Sequence, residues 1–238
     1  MPRHDGRAPD QLRDLTIATA LGGWAEGEAL ITLGSTRVLC TATVEERVPP
    51  HRRGTRAGWV TAEYAMLPRA TPERTQRERN RVDGRSQEIQ RLVARSLRAA
   101  VDLRRLGERT VIVDCDVLQA DGGTRTASIT GGFVALGIAC RKLVEAGLVN
   151  GDPVRRQVAA VSVGVLEGEA LLDLDYREDS RADTDMNLVM TQDLQLVEIQ
   201  GTAEGVALEA EMLAPLLRLG EAGVLMVLEA QRAALADA

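Results

Sequence analysis

The stretch "DVLQADGGTRTASITGGF", from Asp116 to Phe133, decides how this chain folds. It begins like a strand, turns at the double glycine Gly122-Gly123, and continues with small residues that predict the start of a helix. A helix that follows a strand and a glycine turn presents backbone N–H groups and its positive dipole end to an anion. The loop has neither the P-loop nor the dinucleotide-binding glycine pattern. The glycines alone therefore leave a plain tight turn and an anion site both open.

Two predicted helices begin with an arginine, although a cation at a helix N-terminus is disfavoured by about 0.3–1 kcal/mol. Arg85 opens the helix in "GRSQEIQ", and Arg125 opens the one after the double glycine. An anion between the two helix starts would remove this conflict. Two guanidinium groups, the hydroxyl of Thr124 and the amides of Gly123 to Arg125 suit a phosphate. We therefore predict a phosphate-binding site formed by Arg85, Gly123, Thr124 and Arg125.

The rest of the chain alternates between strand-like and helix-like patterns. β-Branched residues with partial alternation predict strands, and apolar residues three or four positions apart predict helices. Without a fixed repeat or an obvious linker, this order indicates an α+β or mixed α/β fold in one compact domain, residues 1–238. Predicted strands lie at 28–46 (two, around a Gly-Ser-Thr turn), 58–67 and 109–119, with later pairs around Glu167-Gly168 and Gln192-Asp193; predicted helices run from Asp83 to near Gly107, over 127–147, and from Leu208 as two short helices interrupted by Gly220 and Gly223.

The composition is that of a globular protein. The 238 residues are 45% hydrophobic and 27% charged, which predicts a sizeable core. No uninterrupted apolar run approaches the roughly 20 residues of a membrane span, and the N-terminus lacks the apolar stretch of a secretory signal. Three cysteines, an odd number, lie in apolar segments and indicate buried thiols in a reducing compartment. We expect a cytoplasmic protein with no membrane partner.

The two histidines, His4 and His51, limit the possible chemistry. A Ser-His-Asp or Cys-His device needs a positioned imidazole, and a catalytic zinc site usually needs two or three. Any reaction must therefore rest on carboxylates, arginines and backbone amides, with or without a hard metal ion. The net charge of −6 also argues against a protein that coats nucleic acid uniformly.

The acidic stretch "DLDYREDSRADTDMN", residues 173–187, is a candidate metal site. Carboxylate oxygens at this density suit Mg²⁺ or Mn²⁺. A solvated strand–turn–strand is the alternative interpretation. Alternation along a strand would place Asp183, Asp185 and Asn187 on one face, but the spacing does not identify which pair binds metal.

An arginine-rich stretch between Arg69 and Arg85 is a candidate RNA contact. Its cations would neutralise a nucleic-acid backbone, whereas the few aromatic residues offer little base stacking. A solvated loop is again the alternative. The arginines are Arg69, Arg74, Arg77, Arg79, Arg81 and Arg85.

Several long motifs, in order, resemble the ribonuclease PH family over almost the whole chain. They are "GWVTAEYAMLPRAT", "GRSQEIQRL", "DCDVLQADGGTRTASITGG", "QVAAVSVG", "EDSRADTDMN" and "EIQGTAEG". The resemblance implies a duplicated βαβ-type, ribosomal-protein-like α+β fold with mixed sheets and central helices, assembled as a hexameric ring, a trimer of dimers. It also implies a phosphorolytic 3′→5′ exoribonuclease that trims tRNA precursors and other RNA 3′ ends, using inorganic phosphate as co-substrate. Nucleoside diphosphates are released, and the reaction is reversible.

The resemblance also assigns roles to residues at matching positions. Arg85 falls on a phosphate-contacting arginine, and Gly123 to Arg125 fall on the phosphate-binding triplet. Asp179 and Asp185 fall on two carboxylates associated with Mg²⁺ or Mn²⁺ and catalysis, which with Arg85 form the implied catalytic set. The RNA-holding arginines of the family match Arg69, Arg74 and Arg77.

Two other functions fit parts of this pattern. A catalytically silent ring subunit would only bind RNA, but it has no chemical use for Arg85, Arg125, Asp179 and Asp185 together. A hydrolytic, metal-dependent nuclease would use the acidic segment and would leave the two arginines at the helix starts unexplained.

Overall fold

The computed structural model describes residues 3–77, 83–203 and 207–238. Strands and helices alternate through these ranges and confirm the predicted α+β class. The first part contains β1 (Leu15–Ala18), β2 (Gly27–Leu33), β3 (Thr36–Glu45), β4 (Trp59–Met66), α1 (Gly84–Ala100), α2 (Leu103–Leu106), β5 (Thr110–Gln119) and α3 (Thr124–Glu145). The second contains β6 (Val158–Leu166), β7 (Glu169–Leu172), α4 (Tyr176–Asp179), β8 (Thr184–Thr191), β9 (Leu196–Ala203) and α5 (Ala210–Ala236).

The first sheet has the strand order β1-β2-β3-β5-β4. Its neighbours are antiparallel except for β4 and β5, which are parallel. A parallel pair needs a crossover connection, and α1 with α2 supplies it. The sheet is therefore mixed, as predicted, and its parallel pair aligns the ends of β4 and β5 beside the start of α3.

The second sheet, β7-β6-β8-β9, is antiparallel and uses its two faces differently. One face packs against α5 through residues such as Val161 and Leu188. The opposite face continues the main core through Val158, Ala160 and Val189. Because side chains alternate along a strand, every second residue faces this inner side. The next inward-facing residues on β6 and β8 are polar.

Helix α3 lies between the sheets and contacts β2, β3 and β5 on one side and β6 on the other. It is 22 residues long and contains an 18-residue stretch with a mean hydropathy of 1.4, so by length and composition alone it could cross a membrane. However, 72% of that stretch is buried inside the protein, as in a core helix. Small residues allow this close packing: a Cβ on Gly131 would lie 2.9 Å from Cys40 Sγ.

The three thiols are free and buried, as predicted. Burial raises the pKa of Cys140 to about 12. Hydrogen bonding to Cys115, together with burial, raises the pKa of Cys40 well above its ordinary value. Since the thiolate is the nucleophile, these two cysteines are inert core groups.

The predicted helix from Asp83 to near Gly107 is wrong at its end. Helix α1 ends at Ala100, and Val101 is extended, where it pairs with Val154. Asp102 then caps a separate turn, α2, by accepting from the amides of Arg104 and Arg105. A tertiary strand contact and a local cap thus override a continuous apolar pattern.

The two short C-terminal helices are also a wrong prediction, because α5 runs unbroken over 27 residues. Gly220 and Gly223 both lie on its buried face. A Cβ on Gly223 would lie 2.6 Å from Leu172 Cδ1, and one on Gly220 would overlap Leu188. These glycines bring the helix close to the second sheet and do not interrupt it.

Candidate active site

A cleft of about 580 Å³ collects the predicted site residues from four separate segments. The start of α1, the loop before α3, the end of α4 and the start of β8 all reach its wall. The residues predicted to bind phosphate and metal all line it: Arg85, Gly123, Thr124, Arg125, Asp179 and Asp185.

The glycine loop before α3 has a backbone that only glycine adopts easily. Gly122 and Gly123 have φ of +71° and +67°, in the left-handed region. Gly123 is the N-cap of α3, and none of the described side chains caps that helix. The amides of its first turn are therefore presented to the cleft without a side-chain cap, which is the arrangement that binds anions.

Two hydroxyl contacts hold this loop in place. Buried Thr36 donates to the carbonyl of Gly122 at 2.6 Å and accepts from the amide of Asp121 at 2.9 Å. Tyr64 Oη donates to Thr124 Oγ1 at 3.0 Å. Burial raises the pKa of Tyr64, so the phenol keeps its proton. Because Thr124 accepts from Tyr64, its own hydroxyl proton is available to an acceptor in the cleft.

The two arginines occupy the second positions of α1 and α3, as the sequence predicts. Arg125 Nη2 lies 2.9 Å from Glu88 Oε2, and Gln200 Nε2 donates to the other oxygen of Glu88 at 2.8 Å. Arg125 Nε is buried and has no hydrogen-bond partner among the described residues. A buried donor without an acceptor is costly, and an oxyanion in the cleft would satisfy it.

The structure separates the carboxylates that the spacing did not. Asp179 ends α4 and Asp185 lies on β8, and both line the cleft. Asp175 instead caps α4 in a capping box with Glu178. Asp183 is exposed and does not reach the cleft wall. These two carboxylates come from separate elements, and uncharged polar side chains line the same cleft. Together they offer the oxygen ligands that Mg²⁺ and Mn²⁺ prefer.

An N-terminal group of arginines, which the sequence analysis missed, holds the acidic segment. Arg3 contacts both oxygens of Glu178, at 2.8 and 2.5 Å, and Arg7 adds a longer contact at 3.3 Å. His4 Nε2 lies 2.5 Å from Asp175 Oδ2. In residues 3–77, 83–203 and 207–238, His4, Asp175 and Glu178 are the one close group of three potential metal ligands. Because arginines form ion pairs with this group, we interpret it as a structural contact.

The arginine-rich loop forms one rim of the cleft through its other residues. Thr71, Glu73 and Thr75 reach the cleft wall. The predicted RNA-binding residues Arg69, Arg74 and Arg77 are exposed and are not part of that wall. Arg79 and Arg81 lie outside the described residues. The RNA-binding role of this loop stays a prediction.

Comparisons with known proteins agree with this geometry. The model for domain 1 of the 3′ exoribonuclease family matches residues 11–142, and the model for domain 2 matches residues 156–223. Since the family is described by two separate domain models, these matches do not test the expectation of one domain over residues 1–238, which stays a prediction. A ribonuclease PH from Moorella thermoacetica is 55% identical over 239 residues, which cover 100% of this chain and 96% of the relative.

Solved structures show the same fold. An Archaeoglobus fulgidus exosome with RNA bound to the active site contains a chain that matches with a TM-score of 0.82 at 26% identity, over 95% of this chain and 91% of that one. An archaeal exosome core matches with a TM-score of 0.78 at 25% identity, over 96% and 90%. The chain therefore belongs to the 3′ exoribonuclease family, and within it to the ribonuclease PH type of phosphorolytic 3′→5′ exoribonuclease.

Proposed function

We propose that this cleft trims the 3′ ends of tRNA precursors with inorganic phosphate as the attacking group, and that Arg85, Thr124, Arg125, Asp179 and Asp185 perform the reaction. The observation that supports this assignment is the convergence of two helix starts, each with an arginine, on the same cleft as two carboxylates. Each feature alone has a structural explanation. Together they provide an anion site beside a cation site, which phosphorolysis requires.

In the proposed reaction an oxygen of orthophosphate bonds to the phosphorus of the terminal nucleotide. The bond from that phosphorus to the 3′ oxygen of the preceding nucleotide breaks, and this oxygen takes up the proton that the orthophosphate carried as HPO₄²⁻. The products are a nucleoside diphosphate and an RNA shortened by one nucleotide. No histidine or covalent intermediate is needed, because phosphoryl transfer depends mainly on positioning and charge stabilisation.

Arg85 and Arg125 address the main electrostatic obstacle, which is the approach of one anion to another. Their guanidinium groups and the amides at the start of α3 hold orthophosphate with fixed dipoles, so little reorganisation is needed during the reaction. The hydroxyl of Thr124 adds a donor whose orientation Tyr64 sets. These groups bind and orient the nucleophile.

Asp179 and Asp185 would hold Mg²⁺ or Mn²⁺. When bound, such an ion supplies positive charge to the scissile phosphate and to the leaving oxygen. Because both carboxylates are negative, they would repel the phosphate groups of the RNA unless a cation lay between them. Because an ester is exchanged for an anhydride, nucleoside diphosphates should also add back to RNA ends.

We further propose that the chain works in the cytoplasm as a homo-oligomeric ring, a trimer of dimers. The related exosome structures are assemblies of similar chains. Exposed apolar residues on α5, among them Leu213, Leu225 and Met226, supply surface for such contacts. Light scattering on the purified protein tests this: a mass near six copies supports the ring, and a monomer contradicts it.

The decisive experiment is a 3′-extended tRNA incubated with the protein and Mg²⁺, with and without phosphate. We expect nucleoside diphosphates in the presence of phosphate and no release without it. Nucleoside monophosphates released without phosphate would support the hydrolytic nuclease instead. RNA binding without any release would support the silent ring subunit. Arg125→Ala should raise the KM for phosphate more than the KM for RNA.

A further inference from the structure

Ser162, on β6, is a buried hydroxyl in the cleft with no assigned role. It is 4% exposed and lines the same cleft as Arg85 and Asp185. Its Oγ finds no hydrogen-bond partner within the part of the chain that the structure describes. Every other residue from Val158 to Val165 is apolar or glycine. A lone serine in a strand of this kind would normally be satisfied by a neighbour.

The packing of β6 against α3 directs Ser162 toward the start of that helix. Gln231 Nε2 donates to the carbonyls of both Thr130 and Val158, which sets these two residues side by side. Ala160, two residues along β6, lines a small cavity with Ala127 and Thr130. Successive inward-facing residues of β6 therefore lie closer and closer to the first turn of α3.

The next inward-facing residue on β6 is Ser162. Two strand residues span about 6.6 Å, and the same distance covers about four residues of a helix. Four residues before Ala127 is Gly123, the N-cap of α3. On its other side Ser162 pairs directly with Asn187 on β8, two residues from Asp185. The hydroxyl thus lies between the predicted phosphate site and the carboxylates.

We propose that Ser162 is a third side chain that binds the orthophosphate co-substrate, through a hydrogen bond from its hydroxyl to a phosphate oxygen. This inference rests on the proposed function. Two buried donors on the cleft wall, Ser162 Oγ and Arg125 Nε, have no acceptor among the described residues. A single oxyanion at the start of α3 satisfies both. A neutral donor at this position also holds phosphate without adding charge next to the cation that Asp185 would bind.

Ser162→Ala tests the proposal with three titrations, of phosphate, RNA and Mg²⁺. A hydrogen bond to a charged group contributes enough that its loss should raise the KM for phosphate about tenfold or more. The KM for RNA and the half-saturating Mg²⁺ concentration should stay within about twofold. The rise in melting temperature that phosphate causes in the wild type should shrink in the variant.

Ser96→Ala is the matched control, because Ser96 is also fully buried but donates to the carbonyl of Leu92, outside the cleft. It should leave the KM for phosphate unchanged. Without phosphate, Ser162→Ala should melt no lower than the wild type, since it removes a hydroxyl that has no partner.

An unchanged KM for phosphate and an unchanged phosphate-induced shift in Ser162→Ala would overturn the proposal. So would a change confined to the Mg²⁺ requirement, which would place the hydroxyl at the metal. Arg125→Ala, measured in parallel, separates this failure from failure of the proposed function. If Arg125→Ala raises the KM for phosphate and Ser162→Ala does not, only the role of Ser162 is wrong. If wild-type activity does not depend on phosphate, the proposed function itself is wrong.

Discussion

Arg13 and Asp173 form a buried, bidentate ion pair that connects the glycine loop before α3 to the acidic segment. Arg13 Nη2 lies 2.6 Å from Asp173 Oδ1, and Arg13 Nε lies 2.9 Å from Asp173 Oδ2. The third nitrogen of the same guanidinium donates to the carbonyl of Asp121, directly before the double glycine. Asp173 in turn begins the segment that leads to Asp179. One side chain therefore contacts both the glycine loop before α3 and the acidic segment.

Arg13→Ala should destabilise the protein by about 3–5 kcal/mol, because it removes the main partner of the buried Asp173 carboxylate, which among the described residues keeps only the amide of residue 13 and a longer contact with Arg7 at 3.4 Å. Denaturant unfolding measures the change. Arg181→Ala is the control: Arg181 pairs with Glu167 at 2.8 Å, but these side chains are 56% and 52% exposed, so the loss should be below about 1 kcal/mol. Equal losses in the two variants would show that the buried pair does not hold the loops together.

Gly122→Ala should impair both stability and activity. A Cβ on Gly122 would lie 2.6 Å from the carbonyl oxygen of Leu174, so the glycine loop and the acidic segment would have to separate. Gly147→Ala is the matched control, since Gly147 has a similar φ of +66° and open space around it. Backbone strain alone costs about 1 kcal/mol.

We expect the loss of stability in Gly122→Ala to exceed that in Gly147→Ala. We also expect a drop of about tenfold or more in kcat/KM for Gly122→Ala alone, because a misplacement near 1 Å can cost two orders of magnitude. Normal turnover by Gly122→Ala would mean that close contact between the two segments is not needed for the reaction.

Asp179→Asn and Asp185→Asn should each lower kcat by about a hundredfold or more, since the charge stabilisation supplied by a bound ion amounts to several kcal/mol. The Mg²⁺ concentration that gives half-maximal activity should also rise in each variant. Asp183→Asn is the control within the same segment, because Asp183 is exposed and outside the cleft wall. A comparable loss in Asp183→Asn would point to a general effect of charge.

Glu88 should make a pH-dependent contribution to stability. Burial raises its pKa, but hydrogen bonds from Arg125 and Gln200 outweigh burial, and the pKa of Glu88 is lowered from its ordinary value of 4.5. A carboxylate with a lowered pKa stabilises the folded state above its unfolded pKa, and this stability is lost as the pH falls through the folded pKa.

Glu88→Gln should therefore cost about 0.5–1 kcal/mol at pH 7, a modest value for a half-buried pair. The difference in unfolding free energy between variant and wild type should narrow as the pH is lowered below 4.5. Parallel stability curves down to the acid transition would show that ionised Glu88 does not stabilise the fold.

Local patterns allowed part of the site to be predicted. A double glycine between a strand and a helix, and an arginine where a helix start disfavours one, are features of neighbouring residues, and the structure has both at Gly122-Gly123 and Arg125. Local patterns failed where distant contacts decide. Gly220 and Gly223 predicted a break in the last helix, yet they serve its packing against Leu188 and Leu172.

The sequence by itself determined the α+β class, the strand–glycine–helix loop and the family, because these depend on periodicity, backbone preference and long ordered motifs. Only the tertiary structure showed that Asp183 lies outside the cleft that Asp179 and Asp185 line, that Arg13 contacts both the glycine loop and Asp173, and that Ser162 lines the same cleft. Each of these depends on which residues far apart in the chain come together when it folds. Neither spacing nor composition contains that information.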